Sequence, residues 1–289
     1  MEDLLKRRVP QFIGVYIVAS WTILQIIDWI VNRYILSPYL VDLSLGIIIA
    51  LIPTVLIMAY FHGKPGKDKW SNIEKIGIPV NLVGAIIILA IVFYPKDLGA
   101  ATQTIIVENE DGQRMKRVVP KRGYITNFII YPFKNNIQDD QNSWAAQGVK
   151  KGLNCDISQD LFINSSSDYL PTKLDEKGHP PGSPISRGLK HAIATELFLE
   201  YFVDGEVGFD GNEYSVTINL YTTDDAKLQV SRTFVNEDIF TLIDETSIQL
   251  RYDLGIPSGH IESSIDLPVA DMLTNSPDAF KEFSEGMHY

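Results

Sequence analysis

Ile76–Pro95 reads IGIPVNLVGAIIILAIVFYP, 20 residues without a charge. An α-helix rises about 1.5 Å per residue, so a run of this length crosses a hydrocarbon core about 30 Å thick. Toward the N-terminus lie two more uncharged runs, Leu43–Phe61 and Val9–Ile27, each of 19 residues. Three such runs in so short a stretch strain the core of a soluble domain, and the sequence predicts three membrane spans. A cleaved leader does not fit the first run. Trp29 and Arg33 follow it, and no small-residue cleavage site does.

Basic residues set an expected orientation. Lys6, Arg7 and Arg8 precede the first run, and Lys64, Lys67, Lys69 and Lys75 separate the second from the third. Only Arg33 separates the first from the second. The positive-inside rule therefore expects a cytoplasmic N-terminus and second loop, with everything after about Pro95 on the far side. Pro10 is expected in the first turn of span one, and Pro79 in the first turn of span three, where a missing N–H costs nothing. Pro53 falls inside span two and should kink it.

Span one carries a polar stripe. Trp21, Gln25, Asp28 and Asn32 recur at helical spacing and share one face. Such a stripe is a proton, ion or partner site, or it supplies interhelical hydrogen bonds that fix span packing. A lone carboxylate with no basic residue in the other spans makes a poor relay, which favours membrane packing or partner contact.

Beyond the spans the charge changes sign. Residues 1–100 carry 9 Lys+Arg and 7 Asp+Glu, whereas the remainder carries 16 and 29, a net of −13. Acidic surface opposes nucleic-acid binding, which depends on displacing counterions with Lys and Arg. The single cysteine excludes an intramolecular disulfide framework and multi-cysteine metal sites. Residues 96–123 read as a connector: Thr104–Val107 and Arg117–Val119 flank an Asp111-Gly112 turn, a β-hairpin signal. Its basic residues, Arg114, Lys116, Arg117, Lys121 and Arg122, either contact lipid head groups or an acidic partner, or form a solvated strand face.

Residues 124–257 read as a mixed domain of order β-α-β-α-β-β-β-α. Phe128–Phe133 is a short buried-type strand ended by a proline, and Gln141–Gln159 is an amphipathic helix. A second strand covers Leu161–Ile163, an exposed Pro/Gly/Lys-rich loop 171–184, and a second helix Ile185–Leu197. Val203–Phe209 leads through Asp210-Gly211 to Tyr214–Tyr221, where Val216, Ile218 and Leu220 alternate with Ser215, Thr217 and Asn219. A turn at Asp224-Asp225 leads to a further strand through Phe234, and a helix from Asp238 is stopped by Gly255 and Pro257. Residues 258–289 read as a linker and the start of a helical region. There Phe280, Phe283 and Met287 form an apolar strip that a lone terminal helix cannot bury, marking a partner contact.

These landmarks resemble a known arrangement. Lys6–Arg8, Tyr16, Trp21, Leu24-Gln25 and Asp28 resemble the membrane module of bacterial proteins that carry tetratricopeptide repeats. Ile129–Phe133, Gly148, Val203–Val207 and Asp238–Phe240 resemble the TolB amino-terminal or FlgO-like domain that accompanies it. Leu273–Gly286 resembles the approach to a first repeat. The resemblance covers most of the chain by the order of short motifs. It departs in having no cyclase, kinase or DNA-binding domain before the spans and no complete repeat after them, so it lends no such activity. It implies a bacterial inner membrane with the mixed domain in the periplasm.

Catalytic patterns are missing. Gly63–Lys67 lacks phosphate-loop spacing, and His62, His179, His191, His260 and His288 form no metal-binding pair. Ser165–Ser167 lacks the glycines of a nucleophile elbow, and Cys155 reads as a small buried residue. Asp139-Asp140 and Asp224-Asp225 read as turns. The sequence thus predicts a three-helix transmembrane module followed by an α/β (α+β) domain. It predicts no enzyme and no cofactor. Partners are the lipid bilayer, another protein or membrane complex, or a second copy of the chain. The expected role is a non-catalytic inner-membrane scaffold subunit. The alternative is a sensor whose outer domain binds a small ligand and signals through the spans.

Overall fold

The computed structural model describes residues 9–62, 70–108, 112–139 and 141–286. Lys64, Lys67 and Lys69, the basic residues before Val9, the segment Gly63–Lys67, Asp111, Asp140, Met287 and His288 lie outside the described residues. The chain divides into two units, Met1–Thr102 and Gln103–Tyr289.

The first unit holds three helices long and apolar enough to cross a membrane: α1 (Val9–Arg33), α2 (Tyr39–His62) and α3 (Asn72–Phe93). Their apolar side chains, such as Val15, Ile52, Ile86 and Ile91, point outward, which suits a lipid solvent. α2 packs against both neighbours. Tyr16 donates from its hydroxyl to the Ile48 carbonyl, and Asn81 Nδ2 donates to the Ala50 carbonyl at 2.9 Å and to Thr54 Oγ1 at 3.0 Å. The Asn81 bonds sit beside Pro53, which is inside α2 as expected. Pro79 differs from expectation: it lies inside α3, not in its first turn. A capping box starts the helix earlier. Ser71 accepts from the Glu74 N–H, and Glu74 accepts from the Ser71 N–H. The Glu74 side chain is buried and meets His62 Nε2 at 2.6 Å, joining the facing ends of α2 and α3. At the other end, Leu36 bridges to Ala100, so the α1–α2 loop and the chain leaving α3 share one side of this unit.

The second unit begins with the hairpin of β1 (Thr102–Glu108) and β2 (Arg114–Pro120). Its main sheet contains β3 (Thr126–Ile130), β4 (Lys134–Asn135), β5 (Ile163–Ser165), β6 (Tyr201–Phe209), β7 (Tyr214–Thr222) and β8 (Leu228–Asn236). The order is β5-β3-β6-β7-β8, parallel around β3 and antiparallel from β6 onward. Pro132, which has no N–H, separates β3 from β4, and both pair with β6. Gly205 is required by close approach in this ladder. A Cβ there would stand 2.0 Å from the Thr217 carbonyl oxygen.

Helices α4 (Ala145–Ile157) and α7 (Ile239–Asp253) pack on each other, on β6 and on β7–β8. Gly152 lets them approach; a Cβ there would meet Ile243 at 2.7 Å. The alternation read in β7 is present, with Val216, Ile218 and Leu220 buried. A second core forms from Ile129, Tyr131 and Phe202 with Leu170, Ile193 and Leu199. These come from α5 (Leu170–Glu176), α6 (Arg187–Glu196) and their flanks. The expected loop 171–184 therefore opens with a helix. Pro171 occupies its first turn, where proline is tolerated, and Leu170 anchors it in the core. The second strand starts at Ile163, not Leu161, because Asp160 Oδ1 accepts from the Phe162 N–H and holds that segment in a turn. After Pro257 the chain forms α8 (Ser258–Ser263), α9 (Val269–Met272) and α10 (Pro277–Gly286).

Candidate functional site

The stripe on α1 faces away from the helix contacts. Trp21 is 65% exposed, and Gln25 and Asp28 are exposed. Asn32 Nδ2 donates back to the Asp28 carbonyl at 3.0 Å and to Asp28 Oδ1 at 3.3 Å, within the same helix. The bonds described between α1 and α2 and between α2 and α3 use Tyr16, Asn81, Thr54, His62 and Glu74 instead.

The strip on the last helix has split. Phe280 is fully buried, edge-on to Trp144 at 5.7 Å and beside Phe240 at 5.2 Å. A free partner contact does not fit it; the helix has found its apolar partner in its own unit. Lys151 Nζ donates to the Ser284 carbonyl at 2.7 Å and sits over the Phe283 ring. Phe283 remains 40% exposed.

Residues considered for chemistry have structural positions. Ser165 and Ser167 hydrogen-bond each other, Asn154 and the Ile130 N–H, closing the end of the parallel strands. Cys155 is half-buried, and burial together with Asp156 pushes its thiol upward, away from the thiolate. His260 bonds Asp160 at 2.9 Å. Among the described residues no group of three His, Cys, Asp or Glu is placed to hold a metal.

Two surfaces remain, and neither was singled out by residue in the sequence. The first is the edge strand β8. It runs nine residues without Pro, Gly or Lys. Its one charge, Arg232, is folded back in a bidentate pair with Asp253, Nε to Oδ2 at 2.7 Å and Nη2 to Oδ1 at 2.9 Å. Natural edges are blunted by lysine, proline, bulges or shortness. This one has no lysine or proline, and its one irregularity is at Gln229, near its start, where Leu220 pairs Val230 and Tyr221 pairs Leu228. Val235 on it is exposed.

The second is the loop leaving α6. The Phe198 N–H donates to the Thr195 carbonyl and the Leu199 N–H to the Ala194 carbonyl, the bond pattern of a Schellman stop. That stop places one residue in the left-handed region, usually glycine. Here it is Phe198, with φ +55° and 91% exposure. A side chain in this conformation costs about 1–2 kcal/mol. Beside it lies a cavity of about 620 Å³ whose walls include His191, Thr195, Glu200, Thr223 and Asp224. Thr223 is only 5% exposed and its hydroxyl has no partner. His191 Nε2 lies 2.7 Å from the Thr223 carbonyl, which can only accept, so this nitrogen carries a hydrogen. No sequence signal flagged Phe198, because phenylalanine is not a helix-stop residue.

No family model matches the chain, and no curated protein does. Among solved structures it is similar to the LpoB C-terminal domain from Salmonella enterica, with 13% identity and a TM-score of 0.35 over 39% of this chain and 83% of that one. It is similar to TolB from Acinetobacter baumannii, with 17% identity and a TM-score of 0.33 over 54% of this chain and 32% of that one. A lipoprotein from Neisseria meningitidis matches at 11% identity and a TM-score of 0.33, over 43% and 96%. The tetratricopeptide part of the resemblance finds no counterpart in these comparisons.

Proposed function

We propose that this chain is a non-catalytic interaction subunit, held in a bacterial inner membrane by α1–α3 and presenting its α/β unit to a protein partner in the periplasm. The observation that carries this reading is the long edge strand β8, regular from Val230 to Asn236 with its single charge folded back on Asp253. A strand from a partner pairing there gains main-chain hydrogen bonds at little cost in strain. Separately, the exposed Trp21, Gln25 and Asp28 give α1 a polar face that lipid cannot satisfy, which supports a membrane-embedded partner for that helix. The basic residues around the spans support the stated orientation, and the resemblance of the landmarks supplies the compartment.

The test uses the full chain purified in mild detergent, with co-purifying proteins quantified by mass spectrometry. Changing Gln229→Lys and Val235→Lys together places charge along the edge. Partner recovery is expected to fall about tenfold or more, the equivalent of ~1.4 kcal/mol. Full recovery with both lysines in place, in a protein of unchanged circular dichroism, sinks the edge as the docking element. The cavity beside Phe198 favours a second reading, the small-ligand sensor. Stoichiometric recovery of a small molecule, with no partner protein, would decide for that reading.

A further inference from the structure

We infer that the cavity beside Phe198 seats a basic side chain, arginine or lysine, of a partner polypeptide, whose chain then covers the exposed Phe198 ring. The inference rests on the interaction reading and names the chemistry of a contact separate from β8.

Three independent features converge on this place. Phe198 combines a left-handed backbone with near-complete exposure of a large apolar ring. Both are unfavourable in the isolated molecule, and glycine at the same Schellman position would remove both. Strain held at a surface aromatic points to a contact outside the chain. Next, Thr223 lines the cavity, and its hydroxyl is buried without a partner; a turn about its Cα–Cβ bond brings that oxygen to the cavity, where a donating ligand satisfies it. Finally, the residues lining it include the acidic Glu200 and Asp224 and no lysine or arginine, while Glu200 Oε1 also accepts from the Asn127 N–H at 3.4 Å. The complement is a cation that donates hydrogen bonds. A guanidinium or ammonium group supplies both the charge and the donors. The ring at the mouth adds an attractive face for such a group or for its aliphatic stem. A free amine inside the cavity would leave the Phe198 ring in water. A polypeptide enters the cavity with one side chain and buries the ring with its neighbours, which selects the polypeptide as the source.

The experiment screens a phage-displayed dodecapeptide library against the full chain in detergent micelles, then measures the best selected peptide by fluorescence anisotropy. Selected peptides should be enriched in arginine or lysine. Phe198→Gly and the pair Glu200→Gln/Asp224→Asn should each weaken binding more than about tenfold. Phe198→Gly should at the same time raise the melting temperature by about 2–4 °C, because it releases the backbone strain. A rise in stability with a loss of binding is the opposite of what a damaged fold gives. The pair Asp271→Asn/Glu282→Gln changes the net charge equally on α9 and α10, which contribute no residue to the cavity, and should leave binding within about twofold. Selection without basic residues, undiminished binding by Phe198→Gly, or equal weakening by the charge-matched pair would each overturn the inference. So would displacement of the peptide by equimolar n-butylguanidinium, which would assign the cavity to a small cation. Because partner recovery through β8 is scored separately, a failed screen with intact recovery rejects this site and leaves the interaction reading standing.

Discussion

Asp156 sits under a single guanidinium that serves two carboxylates. Arg251, 2% exposed, donates from Nη2 to the Asp156 carbonyl at 3.1 Å and to Asp266 Oδ1 at 2.9 Å, with Asp156 Oδ2 at 3.3 Å. Burial pushes the Asp156 carboxyl up to about 6, and the charge of Arg251 pulls only partly against it. The unfolded carboxyl titrates near the ordinary 3.8. Between these values the folded chain holds more protons than the unfolded chain. The contribution of Asp156 to stability therefore falls as pH rises from about 4 to about 6 and is level above that. Replacing Asp156→Asn removes this proton uptake. The stability of the native chain minus that of the variant should fall by ~2–3 kcal/mol over that window. Urea titrations in detergent at stepped pH measure it, and a level difference from pH 4 to 7 would show that Asp156 titrates normally in the fold. The triad was not legible in the sequence. Its members lie far apart along the chain, and nothing in the local pattern of residue types marks two aspartates and an arginine as neighbours.

The last helix shows what an element's own sequence can and cannot say. The spacing of Phe280 and Phe283 identifies an apolar face, and that face is present in α10. Its partner is not in the spacing, because Trp144 and Phe240 come from remote segments. The two phenylalanines therefore have different expected costs. Phe280→Ser removes a ring from a closed core and should cost about 3–5 kcal/mol. Phe283→Ser, at a half-open position, should cost about 1 kcal/mol or less. Thermal unfolding of the two single variants separates them; equal, small losses would mean that α10 does not dock. The same logic divides the rest of the fold. The alternation in β7, the stripe of α7 capped by Asp238 accepting from the Thr241 N–H, and the three spans are local periodic patterns and were read directly. α5 was missed because its proline is a helix-start residue inside a segment whose composition suggests a loop. The α6 stop was missed because a phenylalanine took the place of glycine.

For the molecule as a whole, topology follows from helix parity together with charge. If all three long apolar helices cross the membrane, the segment before α1 and the segment after α3 lie on opposite sides. Within the membrane unit, the Leu36–Ala100 bridge holds the first loop and the exit of α3 at one end, as three antiparallel crossings require. Which end is cytoplasmic depends on lysine and arginine. Lys75 and the lysines of the second loop weigh on one side, Arg33 and Lys96 on the other. The large acidic surplus after residue 100 does not oppose this assignment, since aspartate and glutamate have little influence on insertion. Single cysteines at Lys69→Cys and Asp271→Cys, each in a Cys155→Ser background, probe the two sides. Asp271 is exposed, and among the described residues none bonds its side chain. On intact spheroplasts an impermeant maleimide should label the cysteine at 271 and spare the one at 69. After detergent permeabilisation both should label. Labelling of 69 alone on intact cells would place the α/β unit in the cytoplasm. The β8 edge and the Phe198 cavity would then face cytoplasmic partners, and the periplasmic part of the functional proposal would fall.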